Sequence, residues 1–140
     1  MFKKILVPLD GSPSAENVLP YARTLAQRLS VAVDLLGGVD IVEMARSVSA
    51  ADGLLIARLA DDEARRSTAY LEEIARGFAG VSVRCLVQRG RAADVIIETA
   101  AGEEDSLIAM ATHGRSGLNR FLLGSVAEKV LRGTANPLLL

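Results

Sequence analysis

Apolar residues along the chain fall into short continuous runs, and these runs alternate with stretches of helical spacing. Runs without strict polar alternation are typical of strands that are covered on both faces, and β-branched content marks the third of them. The predicted strands are KILVPLD (4–10), VAVDLLGGV (31–39), VSVRCLVQ (81–88), SLIAMA (106–111) and NPLLL (136–140).

Apolar residues three and four positions apart predict four helices between these strands. The first begins with Ser12 as its N-cap and Pro13 in its first turn, and Pro20 is expected to kink it. Residues 41–58 break the pattern and are expected to form a loop or a short helix. The other helices are expected at Leu59–Phe78, at Ala93–Ala100 and at Val126–Arg132.

This alternation predicts a single α/β domain over residues 1–140, with a parallel sheet covered by helices on both faces. Ligands of such sheets bind beyond the carboxyl ends of the strands. Glycine and short polar residues collect at those ends here, as in Asp10-Gly11, Gly37-Gly38 and Thr112-His113-Gly114. We therefore expect the functional site at this edge of the sheet.

Composition narrows the range of partners. The formal net charge is −1, aromatic residues make up 4% of the chain and tryptophan is missing, so neither a basic groove nor a stacking platform for nucleic acid is indicated. Cys85 is the single cysteine, no run reaches the length of a membrane span, and the first residues lack a signal-peptide pattern. We expect a cytoplasmic protein without a nucleic-acid or membrane partner.

The stretch MATHGRSGLNRFLLGSVAEKVLRG (110–133) concentrates glycine just before the last predicted helix. Ser125 and Glu128 have the spacing of a capping box, which would make Ser125 the N-cap. Helix N-termini attract anions, and bare backbone at Gly114 and Gly124 would admit a phosphate chain. Alternatively, these glycines are only turn residues and the capped helix binds nothing. The sequence contains neither the P-loop nor the dinucleotide-binding signature.

Three parts of the chain together resemble the ATP-binding branch of the universal stress protein family. Ala111-Thr112-His113-Gly114, nine further residues and Gly124-Ser125 are similar to its motif G-x-x-G-x9-G-[ST], with Ala111 in place of the first glycine. The opening KKILVPLDGS resembles the family's first strand and loop, and GSVAEKVLRGTANPLLL resembles its last helix and strand. The resemblance spans the whole chain, and residues 41–58 match least well.

The resemblance implies a flavodoxin-like five-stranded sheet of order 3-2-1-4-5 and a homodimer that pairs through the C-terminal strand. It also implies that ATP, or AMP or ADP, lies between the first and fourth strand ends; whether Mg²⁺ accompanies it is left open. Asp10 would lie near the ribose, Val39 would pack on the adenine, and the start of the last helix would hold the phosphates. The residues implied to bind the nucleotide are Pro8, Leu9, Asp10, Val39, Met110, Ala111, His113, Gly114, Gly124, Ser125 and Val126.

These inferences predict a small cytoplasmic protein that binds an adenine nucleotide and has a stress-response or regulatory role. Slow ATP hydrolysis is one alternative, for which Asp10 and His113 are the only candidates, and neither has an evident catalytic partner. A dimeric interaction module that has lost the nucleotide is a second alternative, and a flavin-binding domain is a third. Asp10 could also be no more than a turn residue.

Overall fold

The computed structural model describes residues 1–48, 52–113 and 123–140, apart from the side chain of Ser47. Within these ranges the chain forms five strands at the predicted places and six helices. The strands are β1 (Lys4–Pro8), β2 (Ala32–Val39), β3 (Val83–Arg89), β4 (Ser106–Ala109) and β5 (Leu138–Leu139). The helices are α1 (Pro13–Glu16), α2 (Leu19–Leu29), α3 (Ile41–Ser47), α4 (Gly53–Ala75), α5 (Ala92–Ala101) and α6 (Ser125–Gly133).

All strand pairs are parallel, and the strand order is β3-β2-β1-β4-β5, which confirms the predicted flavodoxin-like sheet. β1 lies at the centre, with Val7 paired to Leu35 of β2 and Leu6 paired to Ile108 of β4. The strand order reverses between β1 and β4. A crevice opens at such a reversal, beyond the carboxyl ends of the two strands.

Two predictions about the helices were wrong. The stretch after Ser12 forms two helices rather than one kinked helix, and Pro20 lies in the first turn of α2, where its missing N–H costs no hydrogen bond. The long helix α4 begins at Gly53 rather than at Leu59, whereas α3 is a short helix of the kind expected within residues 41–58. Asp40 and Asp52 are the reason, because each side chain caps the helix that follows it, accepting from the N–H of Glu43 (3.0 Å) and of Leu55 (3.1 Å).

The hydrophobic core is divided by the sheet into two clusters. One packs the inner faces of α2 and α4 against the sheet, and its members include Val7, Leu35 and Leu71. The other packs α5 and α6 against the opposite face, around Leu36 and Ile108. Every strand of the sheet's centre is therefore covered on both sides, which explains its continuous apolar runs. Among the described residues, no helix is long and apolar enough to cross a membrane.

The approach of α4 to the sheet depends on Gly37 of β2. A Cβ atom at this position would overlap Ser67 Oγ and would also contact Leu71 Cδ1, at 3.4 Å. Because glycine leaves this space open, α4 lies close over β2. Its polar residues are thereby brought to the carboxyl end of the strands.

A charged network joins the opposite, amino ends of the strands. Asp34 of β2 is 2% exposed and accepts two hydrogen bonds from Arg84 of β3, at 3.1 and 2.6 Å, while Lys4 Nζ lies 3.2 Å from its carboxylate. Glu103 bonds both Lys4 and Arg84. The hydrogen bond from Lys4, supported by that from Arg84, lowers the pKa of Glu103. The network therefore connects three strands with the segment that follows α5.

Replacing the buried carboxylate should destabilise the fold. Asp34→Asn leaves the charges of Lys4 and Arg84 only partly compensated, and we expect the free energy of unfolding to fall by about 2–4 kcal/mol. Asp61→Asn is the matched control, because Asp61 pairs with Arg89 (2.6 Å) on the exposed surface, and about 0–1 kcal/mol is expected there. Urea denaturation at neutral pH measures both. Equal losses in the two variants would contradict a special contribution from Asp34.

Candidate functional site

A cavity of about 680 Å³ lies beyond the carboxyl ends of β1, β2 and β4. Its volume is in the range of sites for small molecules and cofactors. Both core clusters reach it, with Leu9 and Ala15 contributed from one and Leu36 and Met110 from the other. The cavity therefore extends over the end of the sheet to both faces.

The predicted nucleotide-binding residues meet in this cavity. Those that the structure describes all line it: Pro8, Leu9, Asp10, Val39, Met110, Ala111, His113, Gly124, Ser125 and Val126. Gly114 lies outside the described residues. Residues that lie far apart in the sequence therefore line one cavity of the fold.

A tight turn after β1 brings Asp10 to the edge of the cavity. Asp10 Oδ1 accepts hydrogen bonds from the N–H of Ser12 (2.9 Å) and from its hydroxyl (2.5 Å), and Gly11 supports the turn with a φ of 82°. The Ser12 hydroxyl in turn accepts from the N–H of Ala15 (3.2 Å), which caps α1. Asp10 thus has the turn role that the sequence suggested, and this turn is what holds it at the cavity.

The end of β4 and the start of α6 are joined through their backbones. The Gly124 N–H donates to the Thr112 carbonyl at 2.8 Å, and a Cβ at position 124 would lie only 2.5 Å from that oxygen. The backbone angles of Gly124, φ −62° and ψ 155°, are open to any residue. The close approach of the Thr112 carbonyl therefore requires glycine at position 124, independently of any ligand. Thr112 Oγ1 also lies 3.0 Å from Nδ1 of His113.

The capping box predicted for α6 does not form. Gly124 is the N-cap and Ser125 is the first helical residue, because the first bond of the helix joins the Glu128 N–H to the Gly124 carbonyl (2.9 Å). The Glu128 carboxylate pairs with Arg132 instead (2.8 Å). The N–H groups of Ser125, Val126 and Ala127 consequently have no partner within the helix. All three residues line the cavity, so the positive end of the α6 dipole faces it.

A comparison with known proteins identifies the family. The model of the universal stress protein family matches residues 1–140. This chain belongs to the universal stress protein family.

Individual family members resemble the chain along nearly its whole length. Universal stress protein MJ0531 of Methanocaldococcus jannaschii is 30% identical over 139 residues, which cover 99% of this chain and 81% of the relative. The solved structure of MJ0577, from the same organism, is 28% identical with a TM-score of 0.85, and the match covers 99% of this chain and 94% of that one. A universal stress protein solved in complex with cAMP shares the fold at 20% identity and a TM-score of 0.63, over 99% of this chain and 94% of that one.

The sequence of this universal stress protein did not predict one wall of the cavity. Four residues of α4 with helical spacing line it, namely Glu63, Arg66, Ser67 and Tyr70. The charged run of residues 61–66 has the spacing of a solvated helix face, and Glu63 and Arg66 do pair with each other (2.8 Å). The signal that could have revealed the wall is polar residues on the same side of the helix as the apolar Leu71 and Ile74.

Three other segments of the lining were also missed. Asp40, Glu43 and Met44 come from the start of α3, Gly90 and Ala92 from the start of α5, and Val95 with Ile96 from the next turn. Only the apolar members of α5 carried a pattern in the sequence. The polar residues at the start of α3 lie in the stretch for which the sequence left a loop or a short helix open.

The described lining is mainly acidic on its side chains. It carries the carboxylates of Asp10, Asp40, Glu43 and Glu63, against the guanidinium of Arg66. An anion would therefore be stabilised chiefly by the backbone of α6. Across the described ranges, no group of three histidine, cysteine or carboxylate side chains could hold a metal ion.

The contact between Gly124 and Thr112 predicts a specific cost of substitution. Gly124→Ala should destabilise the protein by about 1–3 kcal/mol, because the methyl group forces the end of β4 and the start of α6 apart. Gly38→Ala is the matched control within the same cavity, since a Cβ at position 38 meets no atom within 4 Å. Thermal and urea unfolding of both variants measure the difference. A Gly124→Ala protein as stable as the control would contradict this interpretation.

Proposed function

We propose that this universal stress protein binds an adenine nucleotide, ATP in the first place, and acts as a regulatory module in the cytoplasm. The observation that carries the proposal is the start of α6, where three backbone N–H groups without partners in the helix line a cavity. The phosphates bind there, at Gly124, Ser125 and Val126. Gly114 belongs to the same phosphate site by its place in the motif.

The remaining lining suits the nucleoside part. Val39 and Met110 are buried apolar residues of strand ends, and with Leu36 and Ile96 they offer apolar surface to a flat base. Asp10 accepts from the ribose hydroxyls, and Pro8 and Leu9 lie along the same edge. Ala111 and His113 line the path between ribose and phosphate. The relative that is solved with cAMP supports the choice of an adenine nucleotide.

Charge decides the form in which a triphosphate binds. The carboxylates of the cavity oppose a highly charged ligand, and the described residues hold no preformed metal site. Mg²⁺ therefore enters on the phosphates and reduces their charge. ATP should bind more tightly with Mg²⁺ than without it, whereas the affinity for AMP should depend little on the ion.

A charge placed at the start of α6 tests the phosphate site. Ser125→Glu should weaken Mg-ATP binding about tenfold or more, because its carboxylate repels the phosphates. The same carboxylate is favourable for the helix, so the fold should be retained. Ser82→Glu is the control, since it adds an equal charge at the exposed amino end of β3. Calorimetric titration measures the Mg-ATP affinity of both variants. Each protein is first denatured to release bound nucleotide, freed of it and refolded.

The outcomes separate the candidate functions. If the wild-type protein carries no bound nucleotide and shows no heat of binding in titration up to millimolar ATP, the proposal is contradicted. The dimeric interaction module is then the function that remains. Binding that Ser125→Glu and Ser82→Glu affect equally places the phosphates elsewhere. Phosphate release that is faster than in Ser125→Glu would add the hydrolase activity, for which Asp10 and His113 are the candidates.

The C-terminal edge of the sheet supports a homodimer. β5 pairs with β4 on one side only, and Leu139 and Leu140 at this edge are 36% and 46% exposed. Asn136 fixes the start of this strand, donating to the carbonyls of Glu103 and Ser106 at 3.2 Å. An apolar edge of this kind pairs with a second copy of itself.

A charge on the β5 edge should separate the dimer. We expect Leu139→Lys to convert a dimer into a monomer, as measured by size exclusion with light scattering. Leu54→Lys is the control, because Leu54 is an exposed leucine on α4, far along the chain from this edge. A wild-type monomer, or a dimer that persists in Leu139→Lys, would contradict pairing through β5.

A further inference from the structure

The hydroxyl of Tyr70 is a buried donor without a bond. Its oxygen is inaccessible to solvent, and no acceptor among the described residues has both the distance and the angle of a hydrogen bond to it. The ring packs against the core cluster that contains Leu9 and Ala15, and the residue belongs to the α4 wall of the cavity. Buried tyrosine hydroxyls usually form a hydrogen bond, so the missing bond of Tyr70 needs a physical explanation.

Two carboxylates lie close to the hydroxyl. Burial, followed by the negative charge of Glu16, the hydrogen-bonding approach of the Glu16 carboxylate and the charge of Asp10, raises the pKa of Tyr70 to about 12. The phenol is therefore protonated at physiological pH and can act as a donor. Glu16 is therefore the acceptor at hand: its carboxylate approaches the hydroxyl without completing the geometry of a bond, and a closer approach of α1 to α4 would complete it.

Glu16 is connected to the cavity through a short chain of hydrogen bonds. It is the last residue of α1, which is a single turn capped by Ser12, and the Ser12 hydroxyl bonds Asp10. Ala15, just before Glu16, lines the cavity itself. A bond between α4 and Glu16 would therefore hold the whole turn, and Asp10 with it, against a ligand.

We propose that Tyr70 is a positioning residue whose hydroxyl donates to Glu16 when nucleotide occupies the cavity, which fixes α1 and the Asp10 turn around the ligand. The inference rests on the proposed function. In the unliganded protein the missing bond is a cost, and nucleotide binding removes that cost. Tyr70 and Glu16 thus contribute to affinity through the turn that holds Asp10 rather than through a hydrogen bond to the ligand.

Tyr70→Phe tests this inference because it removes only the hydroxyl. We expect Mg-ATP affinity to fall about three- to tenfold, the effect of one hydrogen bond that forms on binding. The thermal midpoint of the unliganded protein should stay constant or rise, because no bond is lost there. Tyr21→Phe is the matched control, since Tyr21 is 68% exposed on α2, and neither quantity should change in it.

Glu16 supplies the second half of the test. Glu16→Ala should weaken binding as much as Tyr70→Phe does, and the double variant should be no weaker than either single one. Glu16→Gln retains an acceptor oxygen and should recover most of the affinity. This rescue distinguishes a hydrogen bond from a general effect of charge near the cavity.

Each contrary result has a distinct meaning. Wild-type affinity in Tyr70→Phe overturns the inference and leaves the proposed function intact. A lower thermal midpoint in unliganded Tyr70→Phe, or additive losses with Glu16→Ala, overturns it in favour of a purely structural role. A wild-type protein that binds no nucleotide overturns both the proposed function and this inference.

Discussion

The hydrogen bond between the Gly124 N–H and the Thr112 carbonyl is the contact on which the site depends. It joins the end of β4 to the start of α6 at a distance that no side chain at position 124 would permit. The switch point of the sheet supplies the crevice between β1 and β4. The contact with Thr112 then holds the start of α6, whose first N–H groups have no partner within the helix, at that crevice. A backbone device of this kind needs no particular side chain to attract an anion.

The opposite wall of the cavity is built by a second close approach. Gly37 allows Ser67, and with it the polar side of α4, to lie over the end of β2. The cavity consequently reaches both faces of the sheet, between α1 and α4 on one side and α5 and α6 on the other. Since α4 also carries Tyr70, this wall connects the nucleotide proposed for the site with the turn that holds Asp10.

The sequence predicted the elements whose pattern is local. Apolar runs marked the five strands, while the strand order came from the resemblance to the family, because pairing between distant strands leaves no trace in spacing. The capping rule placed Ser125 at the N-cap, but the contact with Thr112 favoured Gly124, and tertiary structure overrode the local preference. The α4 wall was missed because polar residues that face a cavity and polar residues that face solvent give the same pattern along a helix.

The central claim, that the start of α6 holds phosphate, is tested most directly by the backbone amide resonances of the protein during titration with Mg-ATP. We expect the amide resonances of Ser125, Val126 and Ala127 to shift first and furthest, and inorganic pyrophosphate to reproduce these shifts. Binding of Mg-ATP that leaves these three resonances unchanged while others shift would contradict a phosphate site at the start of α6.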